Sequence, residues 1–170
     1  MPVARPRREE WSPSGEAFYD ASRAAGYAED PDMNAPGSTG IGAIPSNSAG
    51  GLRMNAAVTY LQPALARPNL ALRSDTCALR VRFDGRRAIG VEADGRDGRT
   101  VFRAGQVVLC AGAIKSSQLL MLSGVGPADE LRRLGIPLIC DSPNVGRRAS
   151  DHCSARVSFG LSRPHRLDVR

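Results

Sequence analysis

The sequence predicts a mixed α/β fold, α+β in part, in which an antiparallel β-meander leads into a strand-to-helix corner. Three observations predict it. From residue 70 to 105, short alternating apolar segments are separated by Asp-Gly pairs at 84/85, 94/95 and 97/98, the pattern of hairpin-connected strands. The segment "QVVLCAG" then carries four consecutive apolar residues, and such a run implies a strand covered on both faces, as in a parallel sheet. Directly after it, "AIKSSQLLML" changes to the spacing of a leucine-rich helix.

The elements follow in chain order. Ser14 is a candidate cap for a helix over "GEAFYDASRAAG", with Ala17, Phe18, Ala21 and Ala24/Ala25 on one face and Gly26 as its stop. Residues 27–52 hold too many glycines and prolines for regular structure. A loop of that length serves a site or crosses between domains. A short helix is expected in "MNAAVTYLQPAL", then strands in "LALRS", "ALRVRFDG", "AIGVEADG", "TVFRAG" and "QVVLC", the middle three as the meander. The leucine-rich helix is expected to start near Ser116. "PADELRRLG" reads as a helix with Pro127 at its first position and acids in its first turn, and "IPLIC" as a closing strand. The expected core is Val81, Phe83, Ile89, Val91, Val107, Val108 and Leu109 from the strands, with Leu119, Leu120 and Leu122 from the helix.

Composition narrows the function classes. The 170 residues carry a net charge of +6, and all but one of the 23 basic residues are arginine, the exception being Lys115. The arginines are scattered singly and in pairs with few aromatics between them, so no nucleic-acid stacking platform is expected. No apolar run approaches the length of a membrane span. The start, "MPVARPRREEW", lacks the apolar stretch of a signal peptide, which makes a cytoplasmic location the expectation. Cys77, Cys110, Cys140 and Cys153 form no Cys-x-x-Cys pair, so no metal site is expected and reduced thiols are.

The chemistry concentrates at the corner. Ala111-Gly112-Ala113 presents no side chain larger than methyl, so a ligand can approach the backbone closely. A helix beginning behind it turns free N–H groups to the same place and favours an anionic or polar group, such as part of a nucleotide. The same small residues would equally permit tight strand-helix packing with no ligand.

Gly112-Ala113-x-x-Ser116-Ser117-x-Leu119-Leu120-x-x-Ser123-Gly124-Val125-Gly126 resembles the second signature of the glucose-methanol-choline (GMC) family of flavin-dependent oxidoreductases. The flanks "YLQPALARPNL", "RVRFDGRRAIGVE", "ADELRRLGI" and "SPNVGRRASDH" follow the order such proteins show. Lys115 and the loop "PDMNAPGSTGIGAIPSN" resemble the bacterial mycofactocin-associated branch more than the choline branch.

The resemblance implies FAD as cofactor and oxidation of an alcohol, with the hydroxyl proton taken by a histidine and a hydride passed to the flavin. It implies a small-molecule alcohol as partner, neither nucleic acid nor membrane, and it does not specify the electron acceptor. It places the strand end Cys110, Ala111 and Gly112 against the adenosine side of FAD, with Ser116 beginning the helix behind it as part of the same cofactor site, and Ala78 beside the adenine. Asp151 and His152 stand where the family has Asp-His after a Gly-x-Asn-Leu-Gln run, on a loop near the flavin and substrate. Here the preceding residues are Arg147, Arg148, Ala149 and Ser150, which departs from that run.

No Gly-x-Gly-x-x-Gly occurs; "GIGAIPSN" begins similarly, but Pro45 stands where the third glycine would be. The family's catalytic histidine is expected beyond the last residue. The chain therefore resembles a middle segment of the family, part of an FAD-binding α/β domain incomplete at both ends. On this reading 1–60 crosses between the FAD and substrate domains, 61–145 is the centre of the FAD domain, and 146–170 starts the substrate domain. The alternative is a catalytically inactive remnant, or a binding or assembly module.

Overall fold

In the computed structural model, residues 1–151, 153, 157 and 158 are described. The chain divides into two compact units, one built on Met1–Leu72 and one beginning at Arg73.

In the first unit a single 3-10 turn at Arg8–Glu10 leads into α1, Pro13–Ala24. Its cap is Ser12 rather than Ser14: the Ser12 hydroxyl accepts from the Gly15 N–H at 3.1 Å, and Pro13 takes the first helical position, where its missing N–H costs nothing. The helix buries Tyr19, whereas Ala17, Phe18, Ala21, Ala24 and Ala25 are exposed. Tyr19 wins because its ring meets Trp11 edge-on at 5.1 Å, with the Arg8 guanidinium 5.1 Å from the same ring. Arg8 is itself fixed by Glu16 at 3.1 Å and Asp20 at 2.5 Å.

The segment after α1 is irregular, as its glycines and prolines require, apart from the two-residue strands β1, Ser48–Ala49, and β2, Leu52–Arg53. A π-helical turn, Ala57–Leu61, runs into the short α2, Gln62–Ala64. The wide turn suits Pro63, which has no N–H to give to the preceding turn.

The second unit opens with the meander β3, Cys77–Asp84, β4, Arg87–Gly95, and β5, Gly98–Arg103, in that order and all antiparallel. Val81 pairs with Val91 and Val91 with Phe102, so these share one face, while Arg80, Glu92 and Val101 share the other. On that polar face Arg80 and Arg82 meet Glu92 at 2.8 and 3.2 Å. The Arg80 hydrogen bond holds the Glu92 carboxyl below the usual carboxylate range, and the fields of Arg82 and Arg99 add to it.

"LALRS" forms no strand, and neither does "QVVLC": no strand of the described residues pairs with either. An apolar run needs neighbouring backbone to become a buried strand, and here Val108 is 73% exposed.

The helix α3, Gly112–Leu122, packs on β3. It leads into β6, Val125–Gly126, then α4, Ala128–Arg133, and β7, Cys140–Asp141, which lies parallel to β6. The closing strand is thus only the last residue of "IPLIC" and its successor. Pro127 is the residue before α4 rather than its first, and the Asp141 carboxylate accepts from the Ala128 N–H at 3.0 Å.

The core sits where these pieces meet. Leu131 is fully buried, with Val81, Ala93, Leu119 and Ser123 nearly so. Of the expected core, Val81 and Leu119 are buried and Phe83, Val91, Val107, Leu109 and Leu120 half-buried. Ile89, Val108 and Leu122 are exposed. The Ser123 hydroxyl accepts from the Val81 N–H at 2.8 Å and donates to the Leu119 carbonyl. Gly124, at φ 87°, could carry no side chain: a Cβ there would lie 2.4 Å from the Pro137 carbonyl oxygen.

Replacing Ser123 by Ala leaves the buried Val81 N–H without a partner, and should lower stability by about 1–3 kcal/mol in urea unfolding; an unchanged midpoint would refute the link. For Glu92, the folded state has the lower pKa. The stabilisation is therefore present above the ordinary value near 4.5 and is lost as pH falls through the folded value. The melting temperature of Glu92→Gln should accordingly fall less steeply below about pH 4.5 than that of the unaltered chain, and parallel curves would show that the pair contributes nothing.

Candidate functional site

The corner that the sequence singles out begins one turn earlier than expected. α3 starts at Gly112, so Ser116 lies in its second turn and not at its head. Ala111, at φ −87° and ψ 13°, is the last residue before the helix, and Gly112 follows at φ 82°. Only glycine enters that left-handed region freely, so the sharp entry into the helix depends on it.

The Ser116 hydroxyl reaches back to accept the Ala111 N–H at 3.1 Å, closing the corner on itself. The Ser117 hydroxyl instead donates to the Ala113 carbonyl at 2.9 Å. The Lys115 ammonium donates to Gln118 at 3.0 Å along the same helix.

The corner can receive a ligand. Ala111, Gly112 and Ala113 are all exposed, and a Cβ built on Gly112 meets nothing within 4 Å. Open space over a backbone without side chains, at the head of an eleven-residue helix whose first N–H groups have no intrahelical partner, fits a polar or anionic group such as part of a dinucleotide.

The structure brings Ala111, Gly112 and Ser116 together. Ala78 lies near the start of β3, paired with Ala93 beside a bulge at Leu79, on the strand against which α3 packs. Asp151 is exposed, and His152 lies outside the described residues. Among the described residues no group of three or more His, Cys, Asp and Glu side chains could hold a metal ion, and no helix is long and apolar enough to cross a membrane.

The family profile described as GMC oxidoreductase matches residues 1–154. The chain belongs to the GMC oxidoreductase family. It is 43% identical over 150 residues to the mitochondrial choline dehydrogenase of Homo sapiens, a match covering 87% of this chain and 25% of that protein. Among solved structures, pyridoxine 4-oxidase from Mesorbium loti aligns with a TM-score of 0.77 and 32% identity, over 85% of this chain and 28% of the oxidase. An FAD-dependent oxidoreductase from Chaetomium thermophilum aligns at 0.73 and 28% identity, over 84% of this chain and 25% of that one. The chain thus spans about a quarter of the length of these GMC relatives.

One feature of the GMC segment escaped the sequence reading. Arg147, Arg148 and Ser150 line a cleft of about 630 Å³ along the flank of α3. The arginine pair was visible as a departure from the family's run, but an arginine pair in isolation reads as solvated charge.

If the Ser116 hydroxyl locks the corner, Ser116→Ala should speed hydrogen exchange of the Ala111 amide by roughly fivefold or more, a cap of this kind being worth about 1 kcal/mol. Unchanged exchange would mean that Gly112 alone sets the turn.

Proposed function

We propose that this chain is the part of a GMC-type oxidoreductase that holds the adenosine side of FAD. The observation that carries the reading is the open, methyl-sided corner Ala111-Gly112-Ala113 at the head of α3, inside the family's signature. FAD is the cofactor of this family, and when bound it supplies the acceptor chemistry for oxidising an alcohol to an aldehyde or ketone.

The chain's own residues bind and orient. Ala111 and Gly112 offer bare backbone for close approach, and Ser116 keeps that backbone in position through the Ala111 N–H. Ala78 is assigned to the adenine, and Asp151 and His152 to the wall of the reacting centre, by their match to the family's pattern. The substrate is a small alcohol, a reading supported by the choline dehydrogenase relative. The division of 1–60, 61–145 and 146–170 among the FAD and substrate domains is part of the same proposal.

A second reading, a non-catalytic binding or assembly module, is favoured by one observation: Val108 and Ile114 flank the corner at 73% and 80% exposure, which is apolar surface suited to covering by further protein.

Flavin absorbance separates the two. With no Gly-x-Gly-x-x-Gly to grip the pyrophosphate, the 170-residue chain should be colourless, since each missing charge-assisted hydrogen bond weakens binding by about 1.5–3 kcal/mol. In a protein of the relatives' full length, Gly112→Val should abolish the yellow colour, because valine resists φ 82° and fills the space above the corner. In the same protein His152→Ala should stay yellow and turn over more slowly. A yellow Gly112→Val protein would return the corner to a packing role.

A further inference from the structure

We propose that the cleft beside α3 binds an amphipathic carboxylate, its head on Arg148 and its apolar body along Met121, Leu134 and Ile136. Among the described residues the lining pairs an apolar floor with two arginines and includes no Asp or Glu. The cleft is shaped by Gly146, where a Cβ would lie 2.9 Å from the Met121 sulfur, so the chain lies directly on the helix before turning through the Asn144 carbonyl to Arg147 N–H bond at 3.2 Å.

Arg148 then takes φ 58°, a left-handed conformation that Gly and Asn accept and that arginine resists. Strain of this kind persists where surrounding structure imposes it and marks functional positions. Arg148 has no hydrogen-bond or ion-pair partner among the described residues. Arg147, by contrast, lends part of its field to Glu130. The unpaired guanidinium is a planar fork that matches the two oxygens of one carboxylate, and the apolar floor matches an alkyl or aromatic body. The cleft shares Ala113 with the corner and its Ser150 edge adjoins Asp151, so the inference rests on the proposed function, while octanoate binding is read without flavin.

Calorimetric titration of the 170-residue chain with octanoate tests it, with octanol and octyl phosphate as comparison ligands. Octanoate should bind at least tenfold more tightly than octanol, and more tightly than octyl phosphate. Arg148→Asn relieves the backbone and removes the charge, so it should melt at or above the unaltered temperature while weakening octanoate roughly tenfold or more. Arg148→Gly provides the same comparison should the Asn variant misfold. Failure of octanoate to bind, equal binding of octanol, preference for octyl phosphate, or undiminished binding by the Arg148 variants would overturn the proposal.

Discussion

One buried hydroxyl ties the second unit together. Among the described residues β3 is an edge strand, and its Val81 N–H points away from β4 with no strand there to receive it. Ser123 receives it at the end of α3 while giving its own proton to Leu119, so the strand edge and the helix terminus satisfy each other out of water. The following residues extend the same join. The Gly124 carbonyl accepts from Ile139 and Cys140 at 2.8 and 3.1 Å, and Gly126 leaves room for the fully buried Leu131. The Ser-Gly-Val-Gly end of the signature is therefore structural, and its Gly-Ala start is the part free to meet a ligand.

The meander was legible because its information is local. Alternation in β3 and the Asp-Gly turns between strands depend on residues only a few positions apart, and these formed as the pattern requires. "QVVLC" was misread because burial of an apolar run is decided by its neighbours in space, which periodicity within the run does not encode. In α1 the error was of another kind. Alanines and phenylalanine set a plausible stripe, but the pairing of Tyr19 with Trp11 and Arg8 lies outside the helix and rotates the buried face.

At the site, small side chains at 111–113 gave the corner away, since close approach needs them whatever the ligand. The placement of Ser116 was missed by one turn because a helix can begin on a glycine in a left-handed conformation, and nothing in the sequence distinguishes that from a glycine still outside the helix. Arg148 was equally hidden: the residue is legible, its backbone angle is not.

The link from Ser123 to Val81 spans 42 residues, whereas β3, β4 and β5 are joined by tight hairpins. Contacts of short sequence separation form early because little chain entropy is lost in closing them. The meander can thus assemble before α3 has docked, leaving the serine bond among the last to form. An interaction made after the rate-limiting barrier has little influence on how fast the chain folds, yet it governs how slowly it comes apart. In this unit the signature serine is accordingly a latch on lifetime, and the hairpins set the speed of arrival.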